Sequence, residues 1–447
     1  MRGHFIMNSF VRGTLLLVIA AFFGECLEFF VNMILARELG EVGMGLYMSI
    51  LPIIFLIVTI ASLELPISIS KFIAEKKRET HFHMLKHTLY ITICFTAVFI
   101  AVTMIFLPYI PVFNGYHPYV KWLVIILIPI VSFSSIARGY FMGIQHMGKI
   151  ALTNFVKKVA QLFLLLWVYQ SFQFDLQMAL FIALATLVAS ELLVCTYLVA
   201  VYFIHFHMLG KGPKQFLDGK VVRKALLSVS LPTTGLRLFH SLTHAIQPFL
   251  VKAALIGAGF SSVMATEHYG MLAGVAMSIG FFPAFIGHSL MTMLIPNVSE
   301  AFAERDQYRL VRLLKQALMI TFLYGTISII AMYLFAEPLT HLFFHSTSAA
   351  NYLKLLWPYF LFHFFIIPMQ AYLIGLGLVK DALFHNIWSH LISFAMMYLL
   401  GSIDFLNMEG IIIGMNMGAV LLMLMHYVTI CKRLGISIYF MVTRLSY

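Results

Sequence analysis

Residues 226–252 read LLSVSLPTTGLRLFHSLTHAIQPFLVK, and this stretch decides how the chain is understood. It is apolar enough and long enough to cross a bilayer, for which about 20 residues at 1.5 Å rise suffice. Yet it carries Arg237, His240, His244 and Gln247, spaced three, four and three apart. That spacing puts all four on one face of a helix. An arginine facing lipid at the bilayer centre costs roughly 2.5–3.5 kcal/mol on insertion scales and more in simulations. The polar face is therefore expected to look into protein or water.

Working outward, the whole chain has the same character. Of 447 residues, 61% are hydrophobic and only 11% charged, where soluble domains carry about 25% charged residues. Apolar spans recur along the full length, without the period-two alternation of a membrane β-barrel. The expectation is an all-α polytopic membrane protein of about twelve spans. They run near 13–36, 46–70, 87–107, 120–141, 151–171, 177–204, 226–252, 268–295, 317–336, 353–376, 383–402 and 409–431. The first apolar run is longer than a signal peptide's and is expected to stay as an uncleaved first helix. Cys26, Cys94, Cys195 and Cys431 fall inside spans with no CxxC pair, so they are expected to be core residues and neither disulfides nor metal ligands.

The net charge of +11 finds its explanation in topology. With the N-terminus inside, Arg37, Lys121, Lys252 and Lys354 fall in outer segments, and Lys157, Lys158 and Arg237 within spans. All the other lysines and arginines fall on the inner side. This positive-inside bias predicts a multi-pass protein of the cytoplasmic membrane with both termini cytoplasmic. It also removes the nucleic-acid reading. Attraction of membrane lipids with anionic heads to the inner face follows from the same charge.

The two halves repeat. Leu85-Lys86-His87-Thr88-Leu89-Tyr90-Ile91-Thr92 aligns with Leu314-Lys315-Gln316-Ala317-Leu318-Met319-Ile320-Thr321 at an offset of 229. Tyr140, Gly143 and Asn154 match Tyr372, Gly375 and Asn386 at 232. An even number of spans per half makes this a parallel repeat, a class that places its site between the halves near midplane. The expected organisation is an N-terminal six-helix lobe (1–205), a basic cytoplasmic linker (206–225), a C-terminal six-helix lobe (226–432) and a cytoplasmic tail (433–447).

Each half opens with a polar stripe: Glu25, Glu28 and Asn32 align with Arg237, His240 and His244. Lys157, Lys158, Glu64 and Glu191 add further charge within or at the ends of spans. So many ionisable groups must pair or line a wet cavity. Glu25, Glu28, Lys157 and Lys158 could alternatively be buried ion pairs holding helices together. Arg237 is the favoured ligand-binding residue, because a guanidinium grips a phosphate bidentately where lysine cannot. The histidines could carry protons or simply be neutral and hydrogen-bonded. His81, His83 and His87 read as a solvated basic surface, since no cysteine or carboxylate completes a metal set. Gly40, Gly43 and Gly45 follow no strand, which excludes a dinucleotide fold. No nucleophile–base pair suggests an enzyme, and no cofactor is expected.

Particular blocks resemble a known family. Ala36-Arg37-Glu38-Leu39-Gly40 with Gly45-Leu46-Tyr47, then Leu65-Pro66-Ile67-Ser68-Ile69-Ser70-Lys71, are similar to the opening of bacterial polysaccharide and lipid-intermediate flippases. These belong to the multidrug/oligosaccharidyl-lipid/polysaccharide exporter (MOP) superfamily. Arg138-Gly139-Tyr140-Phe141-Met142-Gly143, Leu231-Pro232 with Arg237, and the run from Pro296 through Glu300 to Ala303 match further blocks, closest to the stage V sporulation protein B group. The resemblance implies two helical lobes around a central cavity, moving an undecaprenyl-pyrophosphate-linked sugar by alternating access, with Arg237 at the pyrophosphate. It implies a place in spore-envelope synthesis, a lipid-linked oligosaccharide as partner and a coupling cation or membrane potential. Glu25, Glu28 and Glu191 are the candidates for ion coupling. The chain departs from the pattern in carrying Glu25 and Asn32 where arginine-like positions are usual, and Lys157 where glutamate is usual. A Glu25–Lys157 pair of reversed sign is one expectation. The competing readings are a cation-coupled multidrug exporter and a transport-dead scaffold for spore-envelope assembly.

Overall fold

From Gln307 to Leu334 the chain forms one helix with two apolar faces. Leu310, Leu314, Ala317, Thr321, Gly325 and Ile329 are buried on one side, while Met319, Leu323, Ile327, Ile330 and Leu334 stand exposed on the other. In water the second face would carry charge. An exposed apolar stripe of this length is a lipid-facing surface.

The structure is a computed structural model that describes residues 2–213, 215–344 and 349–436. The expected tail, 433–447, lies almost wholly outside them, as does Lys214 of the expected linker. In chain order the helices are α1 (Arg2–Ser62), α2 (Leu65–Glu75), α3 (Arg78–Phe106), α4 (Val120–Gly143), α5 (Met147–Ser171), α6 (Leu176–Lys211), α7 (Gly219–Gly257) and α8 (Ser262–Tyr269). A π-helical stretch (Gly270–Ala276) leads into α9 (Met277–Gly280). Then follow α10 (Ala284–Ala303), α11 (Gln307–Leu334), α12 (Ala336–Phe344), α13 (Ala350–Leu355), α14 (Trp357–Gly375), α15 (Val379–Gly401) and α16 (Asn407–Leu434). No β-strand occurs among the described residues.

Nine helices among the described residues are long and apolar enough to cross a membrane, or ten when the pair 262–280 and 284–303, bent by 58°, counts as one span. The first of the nine runs from Phe22 to Glu75, 54 residues, more than twice the crossing length of about 20. It takes in the expected span 46–70 and most of 13–36, with a break between them at Gly40, whose φ of 66° and ψ of −175° only glycine adopts freely. The charged α7 is not among the nine. The count is consistent with twelve crossings.

Two compact units emerge: residues 46–246, and residues 1–45 with 247–447. Helices α1 and α7 each pass from one unit to the other, at Gly45 and Ile246. Within the first unit, Leu65, Ile69, Phe72 and Leu85 form a core with Ala137, Tyr140 and Phe141. Within the second, Leu294, Val298, Ala301 and Leu314 do so with Met369, Tyr372 and Leu373. These are the same positions at offsets of 229 and 232, and the buried threonine Thr92 maps onto buried Thr321. The sequence repeat is thus a repeat of cores.

The histidine-rich segment at residues 81–87 departs from expectation at one position. It was expected to be a solvated surface, but His81 is buried with Nε2 3.0 Å from the Lys76 carbonyl. The His83 ring packs on Phe216, and Gly219 approaches His87. Through His83 and His87 the first turns of α3 meet Phe216 and the start of α7.

Candidate functional site

The helical period of α7 brings Arg237, His240, Ser241 and His244 to one face. With Pro52, Phe55, Val58 and Thr59 of α1 they line a cavity of about 720 Å³, all within residues 46–246. Thr59 donates its hydroxyl to the Phe55 carbonyl at 2.8 Å and so accepts from Ser241 at 3.0 Å.

A few residues beyond Thr59 the chain is strained. Helix α1 stops at Ser62, and Leu63 and Glu64 take φ values of 47° and 48° before α2 resumes at Leu65 with a proline in its first turn. Two adjacent non-glycine residues in the left-handed region cost about 1–2 kcal/mol each. Helix α7 compensates at both. The Ser230 hydroxyl donates to the Leu63 carbonyl, and Arg237 Nη1 donates to Glu64 Oε1 at 2.7 Å. The pair is lopsided: Glu64 is 3% exposed, whereas the Arg237 side chain is 65% exposed. The carboxylate belongs to the packed break, and the guanidinium belongs to the cavity.

A second charged cluster joins α4, α5 and α6. Arg138 donates from Nε to Ser134 Oγ at 3.1 Å, from Nη1 to Asn154 Oδ1 at 2.9 Å and from Nη2 to Glu191 Oε1 at 3.2 Å. Lys157 Nζ lies 2.7 Å from the other oxygen of Glu191. Each Glu191 oxygen thus has a cation. None of these residues lines the cavity. Lys157 finds its carboxylate in Glu191 of its own unit, where the sequence suggested Glu25, a residue of the other unit.

The remaining expected site residues separate. Lys158 is half-buried on α5 outside the cavity lining. Glu25, Glu28 and Asn32 are half-buried on α1 in the unit of residues 1–45 and 247–447, where Asn32 Nδ2 reaches Ser278 Oγ at 3.4 Å. They stand near an apolar cavity of about 690 Å³ lined by Cys26, Phe29, Phe282 and Phe285, but neither glutamate lines it. Gln247 is half-buried in that unit too. Of the stripe quoted first, three members share the cavity and the fourth does not. The residue that sequence reasoning undervalued is Glu64. It is 173 positions from its partner, and no periodicity connects the two.

The polysaccharide biosynthesis protein family matches residues 10–302, and the MatE family residues 271–399. The chain is 57% identical over 433 residues to sporulation protein YkvU of Bacillus subtilis (strain 168), covering 97% of each. To stage V sporulation protein B of the same strain it is 32% identical over 443 residues, 96% of this chain and 85% of that one. Among solved structures, the inward-facing conformation of a multidrug resistance MATE family transporter of the MOP superfamily matches with a TM-score of 0.72. It covers 92% of this chain and 94% of that one, at 16% identity, a likeness of fold.

Proposed function

The chain belongs to the polysaccharide biosynthesis protein family, and on that premise we propose that it carries a polyprenyl-(pyro)phosphate-linked saccharide across the cytoplasmic membrane by alternating access, in spore-envelope synthesis. It is a membrane protein with the fold of MOP-superfamily transporters. In this reading the repeated halves, 1–205 and 226–432, are the bodies that move, with both termini cytoplasmic. Transport, without covalent chemistry, is the activity.

The observation that carries the reading is Arg237. Its guanidinium stands exposed in a cavity of about 720 Å³ with His240 and His244 beside it. The planar donors of an exposed guanidinium match an anion of phosphate or carboxylate geometry, and a lipid-linked saccharide of this family's class brings the phosphate. The apolar walls, Pro52, Phe55 and Val58, suit a ligand whose charge is confined to one group. A cation-coupled drug exporter would want a carboxylate in that position. Here the nearest carboxylate, Glu64, is buried and bound to the arginine.

The test is reconstitution. Purified protein in liposomes with a labelled polyprenyl-pyrophosphate-linked saccharide is expected to speed its arrival in the opposite leaflet over protein-free vesicles, with and without an ion gradient. Equal rates in both, or transport of a cationic dye in place of the saccharide, overturn the reading.

A further inference from the structure

The two repeats share their core positions but not Glu64. At the offset that superposes Leu65 on Leu294 and Ile69 on Val298, Glu64 falls on Met293. The helix there runs unbroken from Ala284 to Ala303, although it too contains a proline, Pro296. Proline alone therefore does not impose the break at residues 63–64. The first half carries two additions the scaffold does not need: a left-handed pair and a buried carboxylate. Strained residues that persist are held by their surroundings and concentrate at functional sites. The surroundings here are Ser230 and Arg237 of α7.

We propose that Glu64 is the resident counter-ion of the anion site, a built-in competitor that the substrate's phosphate must displace from Arg237. The inference rests on the reading of Arg237 as the phosphate ligand. The geometry sets up the exchange. Glu64 Oε1 takes a single guanidinium nitrogen, Nη1, at 2.7 Å, and the side chain bearing that nitrogen is open to the cavity. An incoming phosphate can engage the exposed edge before the carboxylate lets go. The displaced Glu64 remains at the N-cap of α2, where the helix dipole favours a negative charge. Because the phosphate replaces an existing ion pair, the net binding energy is the difference between two pairs and not the whole of one. A carrier needs that difference to be small, since a cargo gripped by an arginine with no competing partner would leave slowly. On release the carboxylate returns, and the arginine is never left bare while the site changes access.

The test measures binding, not transport. Geranylgeranyl pyrophosphate is titrated into the full-length detergent-solubilised protein, with inorganic pyrophosphate in a parallel arm. Glu64→Gln is expected to tighten both ligands by about five- to twentyfold, within the usual range of a coupling between sites, and Arg237→Ala to weaken both at least tenfold. Glu64→Asp, which draws the carboxylate back by one methylene, is expected to fall between wild type and Glu64→Gln and serves if the amide variant is poorly folded. Unchanged or weaker binding in Glu64→Gln, with loss in Arg237→Ala, overturns the competition while leaving Arg237 as the ligand. A gain for the prenylated ligand alone also overturns it, because the effect would then act on the tail. No binding by wild type or Glu64→Gln overturns both the competition and the reading beneath it.

Discussion

Arg237 and Glu64 make unequal demands on the fold, and that inequality is measurable. Arg237→Ala leaves a carboxylate buried without its cation, expected to cost on the order of 3–5 kcal/mol and to lower the thermal midpoint in detergent. Glu64→Gln leaves a solvated guanidinium and is expected to cost less. The double variant should be more stable than Arg237→Ala alone; a midpoint at or below that of Arg237→Ala would mean the pair does not couple. At the second cluster, Glu191→Gln strips both Arg138 and Lys157 of their carboxylate and is expected to reduce the yield of folded protein severely. Lys157→Met leaves the Arg138–Glu191 pair and should keep pyrophosphate affinity within about twofold of wild type. A tenfold loss there would put Lys157 back among the ligands. At this scale the sequence was half legible. Periodicity along one helix placed Arg237, His240 and His244 together, because i, i+3 and i+7 positions share a face whatever the tertiary structure. Partners on other helices, Glu64 for Arg237 and Glu191 for Lys157, depend on packing, which no local pattern records.

Single helices were predicted well where they were apolar throughout and poorly where they bend. The span expected at 46–70 breaks at residues 63–64, where neither residue is glycine or proline. The legible signal was Pro66, placed where a first-turn proline belongs, although Pro296, one residue beyond the aligned position Ile295, lies inside a continuous helix. Near residues 269–283 the expected span 268–295 instead holds a π-helical stretch and a 58° bend. Helix α1 meets this region at Gly45, where an added Cβ would lie 1.9 Å from the Thr266 carbonyl oxygen. Gly45→Ala is therefore expected to destabilise the protein or move the helix, seen as a lower thermal midpoint. Gly235→Ala, where nothing lies within 4 Å of the new methyl, should be neutral or stabilising by about 0.5–1 kcal/mol, as expected inside a helix. If both variants unfold at the wild-type temperature, the close approach at Gly45 is not as described.

For the molecule as a whole, composition fixed the class, and repetition of a short sequence fixed the duplication. Both survive because they are averaged over many residues: a lipid-facing stripe needs only apolarity, and a core needs only buried positions at constant offset. Residues 46–246 form a compact unit that begins inside α1, just after Gly40, Gly43 and Gly45, and ends inside α7, so the boundaries fall within helices and not in a polar linker. Orientation is a prediction of charge bias alone. A cysteine at Lys121 should react with an impermeant maleimide on intact cells, and one at Lys77 only after permeabilisation; the reverse pattern would invert the topology. The central claim is that the Arg237 cavity handles an anionic lipid-linked saccharide. It is met most directly by timing the arrival of a labelled polyprenyl-pyrophosphate-linked saccharide in the far leaflet of liposomes holding equal amounts of wild type or Arg237→Ala. Wild type is expected to exceed the variant by at least tenfold; equal rates from two folded proteins would contradict the account.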